Sequence, residues 1–428
     1  MSSTFSAEIF QNQFLSQGTD EVHAIVTVTA QGGTATTSGS KLVFGILIDC
    51  SGSMGDGGGE RIRNARAAVR EIIQALREDS YFFVVSGSDS ANLIAPLALA
   101  TPENKAFADT EVSLLEASGS TAMSRWLYVA AEQFPRGDGF IRQALLLTDG
   151  KNDPADSDSL DKVLGQCEGL FQCDARGVGV DWKPEELRRI SGRLLGTLDI
   201  IAKAKDMAAD FRGILDTALG RAVSDVALRL WTPVGTVIKY CKQVSPEIVD
   251  LTPKARSNPQ TPQVRDFPTG AWGNETRDYH FCLRVKPGAV GQRMLAGRAS
   301  LVLRTGVGET KAAEGQILAT WTDDEARSAV IDRRVAHYTG QGELAVAIQE
   351  GLAARREGRD DEATRKLGRA VQLAAESGND ATTKLLRKVV EVVDEHEGTV
   401  KLKRGVDEAD EMALDTRSTK TRRIKSEA

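Results

Sequence analysis

Apolar and polar positions alternate in parts of the first 40 residues. In "EVHAIVTVTAQ", Val22, Ala24, Val26 and Val28 fall at period two, which predicts a half-buried strand. "SAEIFQNQFL" alternates in the same way, and "GGTATTSGS" at 32–40 reads as a turn or linker. From Leu42 the texture changes. "LVFGILI" is a continuous apolar run, as expected of a strand covered on both faces. Ile62, Ala65, Val69, Ile72, Ile73 and Leu76 then recur at helical spacing, followed by a short strand, "YFFVVS", at 81–86. Met123, Trp126, Leu127, Ala130, Ala131 and Phe134 mark a further helix, and "ALLLT" at 144–148 a further buried strand. "ARGVGVD" at 175–181 and "TLDII" at 197–201 each lead into a helical pattern, the first through Leu187, Ile190 and Leu194, the second through Met207, Phe211, Ile214 and Leu215. Strands alternating with helices predict βαβ units in a doubly wound, mostly parallel sheet, with any site at the carboxyl ends of its strands.

The helical period disappears over 223–320. "VALRLWTPV" and "RASLVLRT" alternate, and "TPKARSNPQTPQVRDFPTG" at 252–270 reads as a long loop. This texture predicts an antiparallel β-sandwich, to which residues 1–40 contribute strands. Residues 321–405 turn helical again. Leu344, Ile348 and Leu352 face Ala363, Leu367, Ala370 and Val371 across a turn at Gly358, and a third helix is expected near 379–396. The pair is similar to one tetratricopeptide-type hairpin, but a single repeat builds a small bundle rather than a solenoid. Residues 406–428 end in "DTRSTKTRRIKSEA", which reads as a disordered polar tail. The expected organisation is thus 1–40, 41–222, 223–320, 321–405 and 406–428: α/β with an antiparallel sandwich and a small C-terminal helical bundle.

Composition narrows the class. With 428 residues there is room for two or three domains, and a formal charge of −6 argues against general nucleic-acid binding. No apolar run approaches the roughly 20 residues of a membrane helix, and "MSSTFSAEIF" lacks the features of a signal peptide. Five scattered cysteines read as reduced thiols, so the expected location is cytoplasmic; Cys167 and Cys173 offer a zinc pair only weakly. Trp231, Trp272 and Trp321 read as packing residues.

The candidate chemistry lies at "FGILIDCSGSMG". Asp49 ends the apolar strand, and Ser51 and Ser53 follow before "GDGGG". A phosphate loop would need a Lys that is missing. A phosphoaspartate enzyme usually carries a second carboxylate where Ser51 stands. "SGSMG" departs from the serine-hydrolase elbow, and the four histidines (His23, His280, His337, His396) lie outside the α/β segment. The remaining reading is a divalent-cation site built from hydroxyls, with Ser51 and Ser53 as ligands and Asp49 holding a coordinated water. Further oxygens are expected from other strand-end loops: Thr121 in "SGSTAM" and Asp149 in "LLLTDG".

"LVFGILIDCSGSM", "SGSTAM" and "ALLLTDG", in that order, resemble the von Willebrand factor A family over about residues 41–222. The resemblance implies a doubly wound sheet and a metal-ion-dependent adhesion site at Asp49, Ser51, Ser53, Thr121 and Asp149. It implies Mg²⁺ or Mn²⁺ as cofactor and a protein partner whose Asp or Glu completes the metal shell. The flanking regions resemble bacterial intracellular proteins of this family, which implies a non-catalytic adaptor, sometimes linked to phosphothreonine signalling or stress responses. The alternatives are a subunit of an ATPase-coupled remodelling system and a metal-dependent hydrolase. Two further expectations concern loops. "KNDPADSDSLD", with Asp153, Asp156, Asp158 and Asp161, reads as a solvated loop, and Thr416, Thr419 and Thr421 as accessible sites for a phosphothreonine reader.

Overall fold

The computed structural model describes residues 4–32, 40–305 and 308–424. Residues 33–39 of the expected linker and 425–428 of the expected tail lie outside the described residues. The chain divides into two compact units. One comprises 32–224 with 270–274; the other comprises 4–31, 225–269 and 275 onward.

In the first unit, the strand Lys41–Asp49 lies between Tyr81–Gly87 and Phe140–Thr148 and is parallel to both. Gln172–Val178 and Leu198–Ile201 extend the sheet beyond Phe140–Thr148, and Ala91–Leu99 closes the other edge antiparallel to Tyr81–Gly87. The helices Asp56–Ala75, Pro102–Ser113, Met123–Gln133, Ser157–Cys167, Pro184–Arg193 and Met207–Leu219 connect these strands. The unbroken apolar run of the central strand has a direct cause. Leu42, Phe44, Ile46 and Ile48 pack with Ile62, Val69, Ile73, Phe211 and Leu215, while Val43 and Leu47, on the opposite face, are also fully buried. The chain leaves the central strand toward one edge of the sheet and later returns beside it toward the other. The strand order therefore reverses between Lys41–Asp49 and Phe140–Thr148, the switch point at which doubly wound sheets open a crevice.

The sequence reading missed three elements here. Ala91–Leu99 is exposed on alternate stretches and reads too weakly as a strand. Pro102–Ser113 buries only Ala108 and Val112 and so lacks an apolar stripe. The acidic segment taken as a solvated loop is a short turn, Pro154–Asp156, followed by the helix Ser157–Cys167, with Asp156 buried. The first unit also reclaims a distant segment: Ala222 donates its N–H to the Trp272 carbonyl at 2.7 Å.

The second unit contains two sheets. One has the order Thr4–Gln11, Glu21–Gln31, Glu275–Arg284, Val237–Ser245, Val249–Asp250; the other has Arg256–Asn258, Thr261–Trp272, Val223–Trp231, Arg293–Thr305, Gly308–Thr322, Phe14–Ser16. Their inner faces meet at Phe267 and Phe281, edge-to-face at 5.8 Å, and around Gly297, where Leu230 and Leu283 converge from the two sheets. The proline-rich segment 252–270 is not the expected long loop. Most of it forms the hairpin Arg256–Asn258/Thr261–Trp272, because Pro262 sits near the strand's start and Pro268 lies past the three-residue partner, where no ladder N–H is needed. Trp321 is fully buried in this unit, and Trp231 lies under the Arg298 guanidinium.

Helices Arg333–Arg356 and Asp360–Glu376 form the expected hairpin, turning at Gly358 (φ 71°). The third helix is shorter than expected. It ends at Val389, and Val390–Asp394 pairs antiparallel with Thr399–Leu402. The expectation of a disordered tail is corrected most clearly. Glu408–Arg417 is a helix, capped by the Asp407 carboxylate, and it buries Met412, Ala413 and Leu414. Its apolar residues are too few for periodicity to reveal, but Leu414 completes the core formed by Leu344, Ile348, Leu367 and Leu386. Thr416 is fully buried, Thr419 Oγ1 donates to Glu247 Oε1 (3.1 Å), and Thr421 Oγ1 donates to the Val244 carbonyl (2.6 Å). The three threonines are therefore structural and do not form an accessible modification tract. Among the described residues no helix is long and apolar enough to cross a membrane.

If the last helix is part of the core, Leu414→Ala will destabilise the second unit by about 2–5 kcal/mol. Urea denaturation would measure this, and a loss below about 0.5 kcal/mol, the size of an ordinary surface substitution, would contradict the assignment.

Candidate metal centre

Strand pairing brings Asp49 and Asp149 to neighbouring strand ends. Ile48 pairs with Leu147, so the residues that follow on each strand emerge side by side at the carboxyl edge. Both carboxylates are fully buried. Asp49 Oδ1 accepts the Ser51 N–H at 2.7 Å, and its Oδ2 accepts the Thr148 hydroxyl at 2.5 Å. Asp149 Oδ1 accepts the Ser53 hydroxyl at 2.6 Å, and Ser53 Oγ lies 3.1 Å from Ser51 Oγ.

Thr121 joins them from a third loop. A methyl group on Gly150 would stand 3.3 Å from Ser53 Oγ, 3.3 Å from Thr121 Oγ1 and 4.0 Å from Ser51 Oγ. Three hydroxyls from two different loops thus surround one small volume, which stays open because residue 150 has no side chain. All five residues expected from the sequence meet here.

The loops are held to one another by backbone bonds. Gly52 N–H donates to the Gly119 carbonyl (2.9 Å), Ser118 N–H to the Cys50 carbonyl (2.7 Å), and Asp153 N–H to the Thr121 carbonyl (2.8 Å). Side chains complete the latch. Asn152 Oδ1 accepts the Met123 N–H at 2.9 Å, and the Asp156 carboxylate accepts the N–H (3.0 Å) and the hydroxyl of Ser124. These bonds satisfy the first turn of the helix that follows Thr121 and fix that residue against the Asp149 loop. Beyond Ser53, Gly57, Gly58 and Gly59 all have positive φ (60°, 78° and 72°), a sequence of left-handed turns that only glycine adopts without strain. This turn delivers Arg61, whose Nη1 lies 2.6 Å from Asp149 Oδ2 and whose Nη2 lies 3.0 Å from Asp181 Oδ2.

The sequence reading missed Thr148, Gly150, Asn152, Asp156 and Arg61. Thr148 and Gly150 stand in the quoted "LLLTDG", but nothing in spacing alone distinguishes a carboxylate's donor from a strand residue. Arg61 carried no local signal, because its partners lie 88 and 120 positions away.

Burial pushes the Asp49 carboxyl up to about 6, against the lowering effect of the hydrogen bonds from Ser51 and Thr148; the neighbouring Asp149 charge adds to the rise. Two buried carboxylates facing three hydroxyls, with Arg61 paired to Asp149 and shared with Asp181, form a donor set suited to a hard divalent cation. The residues fit such an ion: all donors are oxygen, they converge on one volume, and bringing in positive charge relieves the burial of Asp49.

The architecture defines a class, a doubly wound α/β domain carrying an oxygen-lined cation cup at its switch point. Comparison with known proteins agrees. A family model described as the von Willebrand factor type A domain matches residues 44–151, and one described as the von Willebrand factor type A C-terminal domain matches residues 372–418. A solved structure described as von Willebrand factor type A from Catenulispora acidiphila is 45% identical, with a TM-score of 0.93 over 98% of this chain and 97% of that one. The chain belongs to the von Willebrand factor type A family. The ArnB paralog VWA2 from Sulfolobus acidocaldarius shares the fold at 13% identity, with a TM-score of 0.62 over 98% of both chains. An uncharacterized protein from Synechocystis is 26% identical over 213 residues, and the match spans 49% of that relative, about half its length.

Two outcomes follow from the buried charge. In chelator, Asp49→Asn will raise stability at neutral pH, by at most on the order of 3 kcal/mol, because it removes a buried charge while the amide oxygen still accepts the Ser51 N–H and the amide NH2 donates to the Thr148 hydroxyl, which turns to accept it. The sign is fixed by the raised folded value. Stability linked to the wild-type carboxyl is complete below about pH 4 and is lost as pH climbs through about 6. The gain on Asp49→Asn therefore grows over that interval and levels off above it, as thermal melts across pH would record. Separately, if the cup holds a divalent cation, Gly150→Ala will place a methyl among the hydroxyls and lower the affinity for that ion by at least about tenfold, as calorimetric titration with Mg²⁺ and with Mn²⁺ would show, while leaving the metal-free melt within a few degrees.

Proposed function

We propose that this protein is a non-catalytic interaction module that captures an acidic side chain of a protein partner through a divalent cation, Mg²⁺ or Mn²⁺. Ser51, Ser53 and Thr121 would bind the ion directly, and Asp49 and Asp149 through water. The observation that carries this reading is the gathering of three hydroxyls around Gly150 with two buried carboxylates behind them. Neutral hydroxyl ligands leave the ion strongly electrophilic, and Ser53 is only part-buried, so the cup opens to solvent. Arg61 offsets part of the charge of the two buried carboxylates but is shared with Asp181, so a divalent ion with an open position is the electrophile that an incoming carboxylate would meet.

A hydrolytic reading has less support. Within its own unit the cup has no histidine to act as a general base, the four histidines lying in the other unit. An ATPase-coupled role would need a nucleotide site on a second protein. An adaptor role in a phosphothreonine-linked or stress-response system stays within the proposal, but through the metal cup, because Thr416, Thr419 and Thr421 are engaged in the fold.

The test is capture from a lysate of the host on immobilised protein, in Mg²⁺ and in chelator, with wild type and Asp49→Asn side by side. Binding is expected in wild type with Mg²⁺ alone. A partner retained equally in chelator and by Asp49→Asn would defeat the mechanism, and Mg²⁺-dependent turnover of a phosphoester that Asp49→Asn abolishes would turn the assignment to a hydrolase.

A further inference from the structure

A second set of donor atoms lies in the sandwich unit, unrelated to the oxygen cup. Strand register assembles it. His23 pairs with Cys282 across one ladder, and Cys282 pairs with Tyr240 across the next, so three adjacent strands place an imidazole, a thiol and a phenol in one row. Glu21 is two residues from His23, and His280 two from Cys282, so both fall on the same face.

Three of these groups stand at mutual distances that suit ligands of one ion: the thiol makes only long contacts to the other two, and the imidazole and carboxylate do not close on each other. Cys282 Sγ lies 3.8 Å from His23 Nε2 and 3.9 Å from Glu21 Oε2, and His23 Nε2 lies 3.9 Å from Glu21 Oε2. A hydrogen-bonded imidazole and carboxylate would close to about 2.7–3.2 Å. Instead the donors form a nearly equilateral triangle. Its centre is the edge divided by √3 from each corner, about 2.2 Å, close to the ligand distances of zinc to sulfur, nitrogen and oxygen, about 2.0–2.3 Å.

The surroundings fix this arrangement. His23 turns its other nitrogen inward: Nδ1 lies 3.2 Å from His280 Nε2 and 3.3 Å from Tyr240 Oη, which themselves lie 3.4 Å apart. A metal-binding histidine is typically held in this way through its second nitrogen. Glu21 is anchored through its other oxygen, Oε1, which is 2.5 Å from Lys239 Nζ and 3.8 Å from Arg284 Nη2, leaving Oε2 toward the triangle. These two cations oppose a second positive charge, but the thiolate and carboxylate together would neutralise a divalent ion. The side chains of His23 and Glu21 are 30% and 33% exposed, so an ion could enter from solvent and keep one position open.

We propose that Glu21, His23 and Cys282 form a transition-metal site, with zinc the ion that fits a thiolate, imidazole and carboxylate set, a water in the fourth position, and His280 and Tyr240 as the groups that orient His23. Binding converts the Cys282 thiol to a thiolate, and its proton passes to solvent. The site differs in kind from the cup at Asp49: sulfur and nitrogen donors select against Mg²⁺ and Mn²⁺, so the two sites can be loaded independently.

Cobalt(II), titrated into the full chain in excess Mg²⁺, reports on the site because a cysteine thiolate bound to cobalt gives a near-ultraviolet charge-transfer band that oxygen ligands do not. One equivalent should saturate the band, and one equivalent of zinc should remove it. Cys282→Ser should abolish it, His23→Gln and Glu21→Gln should each weaken binding by at least about tenfold, and Tyr240→Phe by about tenfold through the orientation of His23. Cys50→Ser and Asp49→Asn should leave the titration unchanged. Circular dichroism without metal establishes that each variant is folded; should Cys282→Ser fail to fold, the part-exposed His23 and Glu21 variants carry the test. Absence of the band in wild type, or its persistence at full affinity in the His23, Glu21 or Cys282 variants, overturns the proposal.

Discussion

Asp49 and Asp149 are fully withdrawn from water at the ends of neighbouring strands, and two buried carboxylates so placed require donors and positive charge close by. Much of the first unit answers that demand. The Ser51 N–H, the hydroxyls of Thr148 and Ser53, and the Arg61 guanidinium each reach one of the four carboxylate oxygens. The parallel pairing of the two strands sets the problem, since it is the register of Ile48 with Leu147 that brings both acids to one edge. A divalent ion in the cup would extend the same electrostatic logic, because it would sit where burial has already raised the cost of uncompensated negative charge.

The cup depends on loops that are fastened to each other more than to the sheet. The Asp49 loop bonds to the Thr121 loop through Gly52 and Ser118, and the Asp149 loop bonds to it through Asp153, Asn152 and Asp156. Residues of a segment that reads in sequence as a solvated loop thus act as caps and struts. Asn152 and Asp156 satisfy backbone donors at the start of the helix Met123–Gln133 and Asp153 donates its N–H to the Thr121 carbonyl, so the position of Thr121 is set by residues about 30 positions further along the chain.

In the sandwich unit, register again decides which side chains meet. Sequence distance hides the relation between His23 and Cys282, which are 259 positions apart but paired on adjacent strands. The contrast in donor type between the units is chemical as well as spatial. One gathers hydroxyls and carboxylates at a parallel sheet's edge, the other a thiol and imidazoles on an antiparallel face. The closing helix Glu408–Arg417 shows how far the unit depends on its last residues, since Leu414 fills the core of the helical hairpin.

By itself the sequence determined the alternating α/β order, the buried central strand, the helical hairpin near Gly358 and the five residues Asp49, Ser51, Ser53, Thr121 and Asp149. Those features rest on local periodicity or on short motifs at strand ends, which the chain carries wherever it folds. Tertiary structure alone decided the rest. It turned the first part of a polar tail into a helix, because three buried apolar residues suffice when one of them, Leu414, completes a waiting core. It made a hairpin from a proline-rich segment, because Pro262 falls near the start of the strand and Pro268 past the end of its short partner Arg256–Asn258. It brought Arg61 to Asp149 and His23 to Cys282, since contacts between residues far apart in sequence are fixed by strand register and loop closure, neither of which leaves a local trace.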